Sequence, residues 1–369
     1  LRNVCNKKKE NKIFTGDHED VENSTGEVEN VLLEGRAIDK TYGIGEKDKA
    51  AFKALDNVTF AVEKGSLLGL VGKSGAGKST LMDVLSGQIS VSSGAVYVEG
   101  KQVVPADIAR VVSMCGQLDT IWPKIKVSSA IAIFMLCRGY RGNIHCAKEI
   151  KDTYVLQLVK KLGIHEMLNK KVGKLSGGQK RRLAFLMSLM GNTKVVLVDE
   201  AMTGVDIETR QIMWKILQDE VNSRGRSVVV TSHDINEVEQ YCNSVGILHQ
   251  GKLVEMGALD DIKKKWGDSI KLICLFSSQD SVGRVNDMIT KNQPDVVVEA
   301  PEIDILDETQ GNRILATFAI NLIDLRNIAG LINTMHKSIS DPSMHYWSIQ
   351  PQSLDDFVRS KSKPEAEYA

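Results

Sequence analysis

The run Gly72-Lys73-Ser74-Gly75-Ala76-Gly77-Lys78-Ser79 constrains this chain more than any other feature. It satisfies GxxxxGK followed by Ser or Thr, with the apolar stretch LLGLV before it and the helical run LMDVLS after it. A strand that ends on glycines and turns directly into a helix points successive backbone N–H groups inward. The helix N-terminus adds the positive end of its dipole, so the loop is a cradle for phosphate oxygens. Lys78 supplies a point charge for the β and γ phosphates, and the Ser79 hydroxyl a ligand for Mg²⁺. The cradle also requires an acidic residue at the end of a neighbouring buried strand. Val195-Val196-Leu197-Val198-Asp199 provides one, and Glu200 follows at once. Side chains alternate along a strand, which separates the two roles. Asp199 is placed to orient Mg²⁺ through water, and Glu200 to face the γ-phosphate as general base or water-positioning group.

Around this centre the pattern alternates between strand and helix. VLLEGRAI, NVTFAV and SLLGLVG read as strands, followed by a helix from Lys78 through Ser86; AVYVEG and RVVSM read as short strands. From Val127 to Met190 the pattern is helical throughout. VVLVDE and SVVVTSH are buried-strand runs, each followed by a helix, Ile207 to Asn222 and Ile235 to Cys242. Apolar strands joined by helical crossovers predict an α/β fold with a mainly parallel sheet. On this reading residues 31–266 form a P-loop NTPase core with an inserted helical lobe at about 118–190. Residues 1–30, rich in Lys, Asn, Glu and Asp, read as a flexible linker, with ordered structure beginning near Val31. After Trp266 the order is strand, helix, strand or bent pair, strand, helix, strand. That predicts a smaller α+β domain of ferredoxin-like βαββαβ type over 267–350, then a closing helix and tail over 351–369.

Composition narrows the partners. Forty-seven basic residues balance forty-seven acidic ones across 369 residues, so no bulk charge draws the chain to nucleic acid, and none is expected as a partner. The six cysteines show no CxxC pair and no metal-type spacing, which fits reduced thiols in a cytosolic setting. No segment reaches the run of about 18–20 apolar residues that spans a bilayer, and LRNVCNKKKE lacks the apolar core of a signal peptide. The chain begins without methionine and carries Lys7-Lys8-Lys9, a short basic run of the kind found beside a membrane span. The expectation is that Leu1 lies just inside the membrane face of a longer polypeptide.

Leu175-Ser176-Gly177-Gly178-Gln179 stands shortly before the Asp199 strand and opens the helix KRRLAFLMSLM. It resembles the signature sequence of ABC-type ATPases, and the resemblance covers roughly Val31 to Trp266. It implies ATP with Mg²⁺, bound through Gly72 to Ser79 and Thr80, and ATP hydrolysis at Glu200. The signature, a second anion site at a helix N-terminus, acts on ATP held by a partner domain. The active form is therefore a head-to-tail dimer, with a sister domain or with a second copy of the chain.

The other family elements occur in order. Gln117 resembles the Q-loop glutamine that reaches Mg²⁺ and the attacking water. Thr203-Gly204-Val205-Asp206 resembles the D-loop crossing the dimer. His233 resembles the switch histidine on the γ-phosphate, and Tyr42 the aromatic residue that stacks on adenine. Ala201-Met202 after Glu200, and Gly116 before Gln117, depart from the usual prolines without removing a chemical group.

CGQLDTIWPKIKVSSAI, LSGGQKRRL and WSIQPQSLDDFV look like the A subfamily of ABC transporters. That likeness implies transmembrane domains in the same or another chain, a place on the cytoplasmic face of a membrane, and transport of lipid. The competing reading is a soluble ABC-type ATPase acting on a non-membrane macromolecule. That class favours paired cassettes, coiled-coil insertions or basic arms, and none of these is written here.

Overall fold

The computed structural model describes residues 14–15, 30–43, 51–116, 121–140, 153–266, 269–277, 280–292, 297–298, 302–307, 313–321, 330–333, 335–336, 344–351, 353–354, 356 and 358. The chain divides into two compact units, residues 1–259 and 260–369, each with its own apolar core.

The first unit opens with strands β1 (Phe14–Thr15), β2 (Val31–Tyr42), β3 (Phe52–Glu63) and β4 (Leu67–Val71), then helix α1 (Lys78–Leu85). Strands β5 (Ser93–Val98) and β6 (Lys101–Val103), helix α2 (Pro105–Val111) and strand β7 (Val112–Cys115) follow. Next come helices α3 (Val127–Cys137), α4 (Thr153–Lys161) and α5 (Gly177–Leu189). The unit closes with β8 (Val195–Asp199), α6 (Ile207–Asn222), β9 (Ser227–Thr231), α7 (Ile235–Tyr241), β10 (Ser244–His249) and β11 (Lys252–Ala258).

The central sheet runs β1-β11-β10-β4-β9-β8-β7, and β10, β4, β9, β8 and β7 are mutually parallel. Every residue of β4, β8 and β9 is buried. Their unbroken Val and Leu content follows, because a parallel sheet covered on both faces has no solvent side to populate with polar residues. This is a P-loop NTPase core.

Three features depart from the sequence expectations. A separate antiparallel sheet, ordered β3-β2-β5-β6, stands beside the parallel one. The β5–β6 link is only two residues long, and a parallel crossover needs a dozen or more. The segment read as a flexible linker contributes β1, which pairs with β11 through Phe14↔Met256 and Thr15↔Glu255. An edge strand offers unpaired backbone groups, and β1 satisfies part of that edge. The inserted segment is not helical throughout. Short 3-10 turns at Ile164–Met167 and Val172–Lys174 interrupt it, and Lys126 pairs with Lys171 in an isolated antiparallel bridge. Gly163, at φ 64, begins the first of these breaks.

Helix α8 (Leu259–Trp266) spans the boundary between the units. The second unit holds β12 (Ser269–Phe276), α9 (Asp280–Asn292), β13 (Val297–Val298), β14 (Glu302–Asp307), β15 (Arg313–Asn321) and β16 (Met344–Pro351). Residues 330–333 and 335–336 are also helical. Strand β12 lies between β15 and β16, antiparallel to both, and β13 and β14 pair with the far side of β15. Alternate residues Ile270, Leu272, Cys274 and Phe276 of β12 join Ile314, Ala316, Phe318 and Ile320 of β15 in one buried layer. Val282, Val285 and Ile289 of α9 pack on the same layer.

Candidate functional site

Three adjacent parallel strands, β4, β9 and β8, bring their C-terminal ends to one place. From β4 the chain enters the glycine-rich loop. Gly77 caps α1 at φ 102, and a Cβ there would stand 2.6 Å from the Ala54 carbonyl oxygen. A Cβ on Gly72 would stand 2.2 Å from the Leu248 carbonyl oxygen. Both positions therefore require glycine, for close backbone approach and, at Gly77, for a left-handed turn. Lys73, Ser74 and Gly75 lie exposed on the loop, while the Ala76 methyl is buried and its N–H donates to the Lys73 carbonyl at 3.1 Å. Lys78 is buried, and its ammonium donates to the carbonyls of Gly72 at 2.6 Å and Lys73 at 3.1 Å. Burial lowers the pKa of this ammonium, against the opposing pull of the nearby Glu200 and Asp199 carboxylates. Ser79 and Thr80 are half-buried in the first turn of α1.

Asp199 and Glu200 are both buried. Sheet register sets Asp199 opposite Thr231. The Thr231 hydroxyl donates to Asp199 Oδ1 at 2.6 Å and accepts from the Glu200 N–H at 2.9 Å. One hydroxyl thus fixes both acidic residues. Glu200 adopts φ 50, a left-handed conformation uncommon for a residue with a side chain, and this turns its carboxylate out of the line of β8. There Oε1 lies 2.7 Å from His233 Nε2. The His233 side chain is 52% exposed and Glu200 only 9%, so the pair stands at the mouth of the site with the acid on the inside. Burial and the charge on Asp199 both raise the pKa of the Asp83 carboxyl on α1.

Lys78, Asp199, Glu200 and His233 are thus brought together as the motifs imply. Thr231 and Asp83 were not picked out from sequence. The register of VVLVD against SVVVT was the available signal for Thr231; for Asp83 there was none beyond its place one turn into α1.

Residues Leu175 to Gln179 open α5. Ser176 and Gln179 form a reciprocal capping box: the Ser176 N–H donates to Gln179 Oε1 at 3.1 Å, and the Gln179 N–H to Ser176 Oγ at 3.3 Å. Leu175 is buried beneath them, Gly178 and Gln179 are half-buried, and Ser176 and Gly177 are exposed. Asp206 caps α6 by accepting from the Thr209 N–H at 2.9 Å. That bond and the Thr209 hydroxyl lower its pKa, with a further contribution from the Arg182 charge. Tyr42 closes β2 at 40% exposure, with Lys40 Nζ 5.2 Å from its ring centroid. Its cross-strand partner is Phe52, 60% exposed, which adds a second aromatic that the motif reading missed. Gln117 lies outside the described residues. The carbonyl of Gly116 just before it accepts from Arg181 of α5 at 3.1 Å.

The donor set fits Mg²⁺. Among the described residues no group of three or more His, Cys, Asp or Glu side chains could form a dedicated cage. Mg²⁺ does not need one, because it keeps several waters and takes one or two protein oxygens plus substrate phosphates. Asp199, held by Thr231, and Ser79 offer such oxygens beside a loop that leaves the phosphate side open.

Residues 55–203 match the ABC transporter family model. The ABC-type organic anion transporter ABCA8B of Mus musculus is 33% identical over 246 residues, which is 67% of this chain and 15% of that protein. ATP-binding cassette sub-family A member 10 of Homo sapiens is 34% identical over 58% of this chain and 14% of its own length. The cholesterol transporter ABCA5 of Homo sapiens is 32% identical over 57% of this chain and 13% of its own. The matched part of this chain thus spans about 15% or less of these curated relatives. Among solved structures, the dimeric post-hydrolysis state of the ATP-binding cassette MJ0796 bound to ADP and Pi aligns with a TM-score of 0.55 at 23% identity, over 62% of this chain and 99% of that one. A bacterial Atm1-family ABC exporter with ATP bound aligns with a TM-score of 0.53 at 22% identity, over 64% and 40%. With the cradle, the acidic pair and the capped signature helix in one fold, residues 55–203 form an ABC transporter nucleotide-binding domain, and the chain is similar to members of the A subfamily.

Proposed function

We propose that this chain binds and hydrolyses ATP with Mg²⁺, that two such domains close head to tail on two nucleotides, and that the closure drives transport through transmembrane domains in the same or another chain. The observation that carries the reading is the buried Glu200 carboxylate, 2.7 Å from His233 and in the field of the Lys78 ammonium. Lys78 and the N–H groups of Gly72 to Thr80 hold the phosphates, and Tyr42 with Phe52 offers an aromatic platform for adenine. Ser79, Asp199 and Gln117 would hold Mg²⁺, which when bound neutralises phosphate charge. Glu200 orients the attacking water and takes its proton, while His233 fixes the carboxylate at the mouth of the site. Leu175 to Gln179 and Asp206 face the ATP of the partner domain.

The domain works at the cytoplasmic face of a membrane, and the transported substrate is a lipid, as expected of a chain most similar to the A subfamily; the matched ABCA5 is named a cholesterol transporter. Residues 31–266 make the ATPase domain. Residues 267–350 are a ferredoxin-like regulatory domain, supported by a sheet in which β12 lies between β15 and β16, and 351–369 its closing helix and tail.

The test is steady-state ATPase activity and nucleotide affinity of the purified chain. Lys78→Ala should lose most nucleotide affinity and keep its circular dichroism spectrum. Glu200→Gln should keep ATP binding and lose turnover by about 10²- to 10⁴-fold, the scale of a general-base contribution. A wild-type chain that binds ATP and never hydrolyses it would defeat the reading.

A further inference from the structure

Far from the cradle, the last turn of α6 buries a carboxylate. Glu220 is 1% exposed, and each of its oxygens has a partner from a different direction. Oε2 accepts from Arg226 Nη1 at 2.9 Å, and Oε1 accepts from the Tyr154 hydroxyl of α4. Arg224 Nε lies 3.7 Å from Oε2, and the Arg224 guanidinium stacks 3.8 Å from the centroid of the Tyr154 ring. Burial and the Glu220 charge raise the Tyr154 pKa, which keeps its hydroxyl a donor. Arg226 is itself only 5% exposed and also donates to the end of α5 and the residue pair just beyond it. Nη1 reaches the Leu189 carbonyl at 2.8 Å, and Nη2 the Gly191 carbonyl. Those carbonyls close the C-terminal end of the helix that Ser176 opens.

The two helices also meet at their other ends. A Cβ on Gly178 of α5 would stand 3.2 Å from the Gly204 carbonyl oxygen, just ahead of the Asp206 cap of α6. The Arg182 charge of α5 acts on Asp206 as well. Helix α5 has 13 residues and is therefore about 20 Å long. It is pinned to α6 at both ends, by backbone proximity near Ser176 and by the buried ion pair near Leu189.

Helix α4 depends on the same carboxylate. A cleft of about 290 Å³ lies along α4 and α6, lined by Tyr154, Leu158, Lys161, Asp219 and Arg224. Two polar links cross between the helices beside it, Tyr154 to Glu220 and the exposed Lys161–Asp219 pair at 3.1 Å. An exposed pair contributes little, so the buried link dominates.

We infer that Glu220, with Arg226 and Tyr154, is the positioning cluster that holds the signature helix in register with the D-loop helix. It thereby fixes Ser176 and Asp206 as one block for the nucleotide of a partner domain. The inference rests on the proposed ATPase reading for its effect on turnover, but not for its effect on α5. Displacing a contributing group by about 1 Å can cost about a hundredfold in rate even when the mutation is remote. A buried charge that loses its partner releases the elements it joined.

The experiment uses the full chain with Tyr154→Phe, the gentler change, and Glu220→Gln, which keeps shape and removes charge. Three readouts are taken: ATP affinity, kcat, and amide hydrogen exchange resolved along the chain. ATP affinity should stay within about twofold of wild type, since the cradle is untouched, while kcat falls about ten- to a hundredfold. Exchange should accelerate over 177–189 and stay unchanged over 67–85. Unchanged exchange over 177–189 in both variants would overturn the inference. So would faster exchange in both segments with weakened ATP binding, which marks general destabilisation. If the wild-type chain hydrolyses no ATP, the functional reading fails by itself, and the exchange pattern still decides the positioning role.

Discussion

Thr231 governs the site at the residue scale. Its hydroxyl is bonded to both Asp199 and Glu200, and its methyl sits in a strand with no exposed residue. Thr231→Val preserves the shape and leaves the Glu200 N–H without its acceptor and Asp199 without its donor. A buried polar group left unpaired costs about 1–3 kcal/mol, so urea unfolding should shift by that amount. Turnover should fall further than the stability loss explains, because both carboxylates lose their orientation. Equal kcat in wild type and Thr231→Val would show that the two acids are held by other groups. Much of this site was legible in the sequence. Lys78, Asp199, Glu200 and His233 each stand at a motif position where chemistry restricts the residue type. Thr231 was not, because its role comes from strand register, and Phe52 was not, because its exposure beside Tyr42 depends on a hairpin pairing that no motif encodes.

At the scale of elements, the parallel strands were readable because burial on both faces makes them continuous apolar runs. The antiparallel sheet was harder to read. Its strands mix buried and exposed residues without a strict period, and β2 pairs with both β3 and β5 through several register shifts. Asp39 shows what holds that sheet together. Its carboxylate on β2 accepts from the Asn57 N–H at 2.8 Å and the Ser93 hydroxyl at 2.7 Å, and it pairs with Lys53 at 3.0 Å, so β3 and β5 are both tied to it. The Asn57 N–H first, then the Ser93 hydroxyl and Lys53, depress its pKa from 3.8 to about 2. A depressed carboxyl stabilises the folded state fully above its unfolded pKa, and the contribution fades as pH falls through the folded one. Wild type should therefore be more stable than Asp39→Asn at pH 6. That difference should shrink between about pH 4 and pH 2 and vanish below. Unfolding midpoints of the two proteins across that range decide it, and a gap that persists at the acid end would mean that packing, not charge, is what the substitution removed.

For the whole molecule, the exposed signature has a direct consequence. Ser176 and Gly177 face solvent at the N-terminus of α5, where the backbone carries partial positive charge. The Ser176 hydroxyl is engaged with the Gln179 N–H of its own capping box. Replacing Ser176 with arginine removes that cap and places a long side chain where a partner's γ-phosphate would approach. The domain's own cradle is untouched, so Ser176→Arg should bind ATP like wild type and fail in turnover. The same reasoning locates the defect in the opposing site. If two copies of this chain pair with each other, a mixture of Ser176→Arg and Lys78→Ala proteins forms some dimers with one intact cradle facing one intact signature. Each such dimer has a single working site, so the mixture should regain part of the activity that neither variant shows alone. Rescue that grows with the fraction of mixed dimers would establish both the trans role of the signature and a self-pairing chain. Loss of ATP binding by Ser176→Arg itself would contradict the assignment, since it would place the signature at its own nucleotide. Normal binding without rescue, in a mixture that light scattering shows to be free of aggregates, would assign the partner position to a different nucleotide-binding domain.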